Sequence, residues 1–190
     1  MNPLISQFKK YGQLSVEIES ELNTKINYSI KQKGDFFLKQ GQIISSLGVM
    51  ENGLVRAYFI DNKGVEINSW FGFENMIIAS VMPLSFSQKS REFIQFLEPS
   101  AIYTISNYDL NTLYTKYPEM NTIGRKLAED YCKILEERII SLQTESAEQR
   151  YKSLINNQPE AVQRISLGHI ASYLGITQET LSRIRRKVHF

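Results

Sequence analysis

One segment of this 190-residue chain leaves little freedom in how it folds: Ile165-Ser-Leu-Gly-His-Ile-Ala-Ser-Tyr-Leu-Gly-Ile-Thr-Gln-Glu-Thr-Leu-Ser-Arg-Ile-Arg-Arg-Lys187. Leu167, Ile170, Ala171 and Leu174 recur on one helical face. Gly175 permits a tight turn with φ > 0, and Ile176 can fill the angle between two helices. Thr177 is a good N-cap for a second helix. Gln178 and Glu179 open that helix, Leu181 and Ile184 anchor it, and Arg183, Arg185, Arg186 and Lys187 line its outer side. The pattern predicts a helix-turn-helix, whose second helix can lie in a DNA major groove with its N-terminal side chains on base edges. Two ordinary surface helices ending in a solvated charge run would account for the basic residues alone. They would not account for small Ala171 at the crossing, the Gly-Ile turn and the polar opening of the second helix together.

Charge supports this reading modestly. The chain carries a net +2, yet residues 147–190 hold seven lysines and arginines against three acids, so +4 lies there and −2 elsewhere. Release of counterions from DNA phosphates favours such a distribution. Hydrophobic content of 42% and charged content of 22% describe an ordinary globular chain. No apolar run approaches the ~20 residues a membrane helix needs, and no signal-peptide region opens the chain, so the expectation is cytoplasmic. Cys132 is the single cysteine. It can form no intramolecular disulfide or iron–sulfur cluster, and its helical surroundings predict a buried structural thiol. The two histidines, His169 and His189, both lie in the C-terminal part, which leaves residues 1–168 none to offer a metal or haem. A cupin-like enzyme with a His/Glu metal cluster is thereby disfavoured, and no enzymatic activity is expected. No cofactor is expected either.

Periodicity divides the rest. Residues 1 to about 30 predict helix, with Leu14, Ile18, Leu22 and Ile26 at four-residue steps and Ser15 as a cap. From Gly34 to Ile105 short strand-like stretches alternate with turns. These include Phe36-Phe37-Leu38, Ile43-Ile44, an Asn52-Gly53 turn, Leu54 to Ile60, Asp61-Asn62-Lys63-Gly64, Val65 to Phe71, Arg91 to Leu97 and Ala101 to Ile105. Aromatics gather there, Phe86 among them, as core filling. Such spacing suggests a small barrel or double-sheet roll. Ser106 can cap a short helix, Asp109 to Tyr117, that stops before Pro118. Met120, Ile123, Leu127, Tyr131, Ile134, Leu135, Ile139 and Leu142 then mark a long helix to Thr144. One stripe of it is expected to pack on its own domain and another on a twin helix. A further helix covers Ala147 to Leu154.

The order of parts resembles the Crp/Fnr superfamily of bacterial transcription regulators from about residue 30 onward. Gly34-Asp-Phe-Phe-Leu-Lys-Gln-Gly41 is similar to the opening of its cyclic-nucleotide-binding roll. Gly53 to Tyr58 and Lys63 to Glu66 resemble its central hairpin, and Thr177-Gln-Glu-Thr-Leu-Ser-Arg183 its recognition helix. The resemblance implies an α+β fold: an N-terminal jelly-roll-like β-roll with flanking helices (1–117), a long dimerisation helix (118–145) and a C-terminal all-α helix-turn-helix (146–190), its wing absent or truncated. It implies base reading by Gln178, Glu179 and Arg183. Arginine suits guanine, glutamate cytosine and glutamine adenine. Thr177, Ser182, Arg185, Arg186 and Lys187 would hold phosphates. Ile123, Leu127, Tyr131 and Ile134 would pair two copies. The implied partners are double-stranded DNA, a second copy and RNA polymerase, with no membrane.

The sensor half departs from the family's nucleotide pattern. Where cyclic-AMP binders place Gly-Glu, this chain has Ile77-Ile78-Ala79-Ser80; where they place Arg-Ser, it has Ser90-Arg91 in reversed order. Reversal in a strand exchanges the inward side chain, leaving Arg91 either facing a pocket anion or on the surface. Cyclic-nucleotide binding is not expected, while Ala79, Ser80, Ser90 and Arg91 mark a candidate pocket for an unidentified small effector. The alternative is a ligand-binding signalling module whose helical C-terminus contacts protein instead of DNA.

Overall fold

The structure, a computed structural model, describes residues 2–43, 46–81 and 88–188. The expectations placed on Ile44, Phe86 and His189 lie outside the described residues. Asn2 accepts a hydrogen bond from the Leu4 amide at 2.9 Å, and Pro3 follows, so helix α1 spans Pro3–Tyr11. Ser15 caps α2, Val16–Lys25, as its position suggests. The helix expected to run to residue 30 stops there. Ile26 keeps the apolar spacing, but its amide closes the last turn on Leu22 and the chain extends into β1, Asn27–Lys31. Its backbone finds a partner strand far along the chain, which local spacing does not reveal.

The remaining strands are β2 (Phe36–Leu38), β3 (Ser46–Asn52), β4 (Val55–Ile60), β5 (Glu66–Gly72), β6 (Ile77–Ile78), β7 (Phe93–Phe96) and β8 (Ser100–Ser106). They form two four-stranded antiparallel sheets, ordered β1-β8-β3-β6 and β2-β7-β4-β5. Gly53 makes the β3–β4 corner at φ +102°, where a Cβ would sit 2.0 Å from Ser100 Oγ, so only glycine fits. One face of the first sheet carries Leu47, Val49 and Ile105. They pack against Leu4, Ile5 and Phe8 of α1, Ile18 and Leu22 of α2, and Leu110 and Leu113 of α3, Asn107–Lys116.

Helix α4, Pro118–Thr144, starts in the same core with Met120 and Ile123, both at most 1% exposed. After it come α5 (Ala147–Asn157), α6 (Ala161–Arg164), α7 (Leu167–Leu174) and α8 (Gln178–Val188). Contacts divide the chain into two compact units, residues 1–57 with 71–130, and residues 58–70 with 131–190. These bounds differ from the three-part division at 117 and 145, because α4 shares itself between the units and the β4–β5 hairpin joins the helical one. Cys132 is exposed on α4, not buried as its helical setting suggested. The apolar residues that bury the helix lie before it in the chain. Among the described residues no helix is long and apolar enough to cross a membrane.

The α2–α3 contact carries an ion pair, Lys25 Nζ to Asp109 Oδ1 at 2.9 Å. Ser106 caps α3 and donates to Asp109 Oδ2 at 2.5 Å. The Ser106 hydroxyl and then Lys25 hold the Asp109 carboxyl below its usual range. A lowered folded-state value stabilises above the unfolded value of about 4, and that stability is lost as pH falls through the folded one. Asp109→Asn should therefore cost about 1 kcal/mol at pH 7 and nothing near pH 2, read from urea unfolding at the two pH values.

Candidate nucleic-acid interface

The Ser166 hydroxyl caps α7 at the His169 amide, 3.3 Å away. Gly175 ends the helix in the left-handed region, φ 69° and ψ 34°, and the Ile176 amide reaches back to Ala171 O at 3.0 Å. Thr177 Oγ1 then accepts from the Thr180 amide at 3.2 Å and starts α8. Ile170, Ala171, Leu174, Leu181 and Ile184 are buried between the helices, together with Tyr151 and Leu154 of α5. The turn geometry and the apolar anchors are those the sequence predicts.

The outer face of α8 shows which polar groups remain available. Gln178, Glu179, Arg183, Arg186 and Lys187 are exposed, while Ser182 and Arg185 are half-buried. Arg183 Nη2 donates to Thr180 Oγ1 at 3.2 Å, which steadies the guanidinium on its own helix. The Glu179 carboxyl lies below its usual range, chiefly through its own backbone amide and then through the Thr177 hydroxyl. It is thus an ionised acceptor at neutral pH. Thr177 is exposed, but its hydroxyl already serves the cap and Glu179. Among the described residues Arg185 Nε is buried without a hydrogen-bond partner.

Two arginines absent from the expected site complete the scaffold. Arg150 on α5 donates to Leu174 O from Nε at 3.2 Å and from Nη2 at 2.9 Å. Arg138 on α4 donates to Tyr173 O and lies over the Tyr173 ring at 3.9 Å. Burial pushes its guanidinium below the usual range. Both cations answer the open carbonyls at the end of α7 and the negative end of its dipole. Arg150 therefore counts towards the basic C-terminal part yet works inside the fold. Lys152 and Arg164 are paired with Glu148 and Glu160, so the exposed charge concentrates on Arg183, Arg186 and Lys187. Nothing in the spacing of Arg138 or Arg150 distinguishes them from surface residues.

The β4–β5 hairpin adds a further hold. Ser172 on α7 accepts from the Asn68 amide at 2.9 Å and donates to Glu66 O at 3.0 Å. One hydroxyl thus occupies the place of a neighbouring strand along the edge of β5.

The expected dimer residues separate. Ile123 is 1% exposed, packed against Gly12 inside its own chain, so it has no surface for a second copy. Leu127 is partly buried against the same core and Tyr131 is half-buried. Ile134 is 59% exposed and leads an apolar run through Leu135, Ile139, Ile140 and Leu142. The candidate effector residues differ in exposure and in the partners they have. Ser80 and Ser90 are buried, but the Ser90 hydroxyl is consumed by the backbone of Glu92, whose carboxylate residue is itself buried. Arg91 lies exposed, and Ala79 is half-buried. Among the described residues no three His, Cys, Asp or Glu side chains assemble to hold a metal.

No family model matches the chain. It is 27% identical over 164 residues to the electron transport regulator A of Shewanella oneidensis and to the fumarate and nitrate reduction regulatory protein of Escherichia coli. Each match covers 80% of this chain and 65% of the relative. A chain from Eubacterium rectale, described as a transcriptional regulator of the crp/fnr family, superimposes with a TM-score of 0.74 at 15% identity, covering 93% of this chain and 84% of that one. The chain has the fold of that crp/fnr-family structure. FixK2 from Bradyrhizobium japonicum shares the fold with a TM-score of 0.73 at 16% identity over 86% of this chain and 84% of its own.

Arg150→Ala removes two donors from Leu174 O and a third, from Nη1, that reaches Glu145 O just past the end of α4. It should destabilise the helix-turn-helix by about 2 kcal/mol, seen as faster amide hydrogen exchange in α7 and α8 than in α1.

Proposed function

We propose that this chain is a sequence-specific DNA-binding transcriptional regulator acting as a homodimer on a pseudo-palindromic site. The observation that carries the reading is the outer face of α8. It presents an amide, an ionised carboxylate and a guanidinium at Gln178, Glu179 and Arg183, on a helix whose other face is buried. These three groups match the donor and acceptor pattern of base edges in the major groove. Arg186 and Lys187 lie further along the same helix and supply phosphate contacts, which position the helix without reading sequence. Both named bacterial relatives are called regulators, and that agrees with the reading. RNA polymerase belongs to the same proposal as the machinery such a regulator would address.

Dimerisation is assigned to the second half of α4. Ile134, Leu135, Ile139, Ile140 and Leu142 are each at least 44% exposed, and a soluble monomer rarely leaves such a run uncovered. A two-fold axis along these helices would set two copies of α8 about 34–36 Å apart, one turn of DNA.

Arg183→Ala should reduce discrimination between cognate and mismatched sites about tenfold to a hundredfold while nonspecific binding persists, read by selection from a random library. Cognate affinity should fall steeply with added salt, and a flat salt response would mean the helix does not meet phosphates. Ile134→Glu should give a folded monomer with poor operator binding by light scattering and gel shift. Ile123→Glu should instead unfold the N-terminal unit, because it buries a charge in the core.

A further inference from the structure

Strand β1 is built with its polarity inverted. Ile30 faces solvent at 67% exposed and Tyr28, 51% exposed, lies against Tyr103 with ring centroids 4.9 Å apart, while Ser29 and Lys31 turn to the other side and are half-buried. A strand on the edge of a sheet normally buries its apolar set, and a shift of one residue would restore that pattern. The pairing with β8 fixes the register instead, Ser29 opposite Ile102 and Lys31 opposite Ser100. Thr104 on β8 stands opposite Gly48 of β3, with Ser46 two residues away on the same face. The inward side chains therefore form a polar floor where a core would be expected.

The floor lines a cavity of about 560 Å³ that opens to solvent. Its opposite wall is aromatic. Successive residues of a regular strand point to opposite sides, yet Phe36 and Phe37 both line the cavity. The reason is a bulge in β2: Phe36 pairs with Gln95 and Leu38 with Ile94, so β2 carries one extra residue. Among the described residues no carboxylate pairs with Lys31, and none forms a hydrogen bond with the hydroxyls of Ser29, Ser46 and Thr104. One ammonium and three free hydroxyls thus face two phenyl rings, in a space of the size that small ligands occupy.

We infer that the β1–β2–β3–β8 cavity binds a small aromatic carboxylic acid, its carboxylate on Lys31 and the hydroxyls and its ring against Phe36 and Phe37. The Lys31 ammonium matches one negative charge, the Lys39 ammonium 4.7 Å from the Phe36 ring adds positive potential at the wall, and the flat wall matches a flat ring. Ala79, Ser80, Ser90 and Arg91 do not line the cavity, although the Ser90 backbone pairs with that of the lining residue Gln42. The inference is independent of the DNA-binding proposal, so either can fail while the other stands.

The test uses the full chain with anilinonaphthalene sulfonate, an aromatic anion that fluoresces when desolvated, and benzoate as competitor. The expected result is one saturable site per chain, with the dye displaced by benzoate but not by benzamide, which keeps the shape and lacks the charge. Lys31→Gln and Ser46→Leu should each weaken binding about tenfold or more without lowering the thermal unfolding midpoint of the free protein. In the wild-type protein, benzoate should shift the amide resonances of Ser29, Lys31 and Thr104, a measurement that needs no variant to fold. The inference is overturned if benzoate moves none of these resonances, or if benzamide competes equally well. It is overturned too if folded Lys31→Gln self-associates while keeping wild-type benzoate affinity, which would make Lys31 a guard against edge-to-edge strand pairing.

Discussion

The angle between α7 and α8 depends on how the chain answers the open carbonyls where α7 ends. A helix leaves its last carbonyls without intrahelical partners, and an unanswered one is costly once water is excluded. Here Gly175 turns the backbone so that its own amide and that of Ile176 reach back, and Arg138 and Arg150 arrive from α4 and α5 to take Tyr173 O and Leu174 O. Only with that end closed do Leu174, Leu181 and Ile184 bury one side of α8 and leave the other side bare. The exposed polar tips of α8 are thus an indirect product of neutralising a helix terminus.

Helix α4 works in two halves with different chemistry. Up to Asp130 it belongs to the roll, with Met120 and Ile123 sealed beneath α1 and α3. Beyond that point it belongs with the helix-turn-helix, contributes Arg138, and leaves an apolar run open. A uniform stripe in sequence has become a core segment followed by an uncovered one. Periodicity records that residues share a face, but not which body covers that face.

This is where the sequence was legible and where it was not. The helix-turn-helix could be read because its determinants are local: a capping Ser or Thr, a glycine with φ > 0, anchors three and four residues apart. Gly53 was legible for the same reason. Strand β1 was not, because β8 holds it from about seventy residues away and Ile26 prolongs a helical spacing up to its edge. Arg138, Arg150 and Ser172 were missed because each acts on the backbone of a distant residue, and backbone targets leave no trace in side-chain patterns. Cys132 was misplaced because a helical context says nothing about which side is covered. The pair Phe36-Phe37 shows the limit of strict alternation, since one bulge changes where neighbouring side chains point.

The Ser172 bridge to β5 differs in kind from the contacts proposed for α8. A neutral hydroxyl held by peptide groups does not involve mobile ions, whereas guanidinium and ammonium groups on phosphates exchange places with them. Raising ionic strength should therefore loosen the proposed contacts of α8 and leave the serine's hold on the hairpin intact. The two attachments of this motif, one outward and one inward, answer to different properties of the medium, so either can be dissociated experimentally while the other persists.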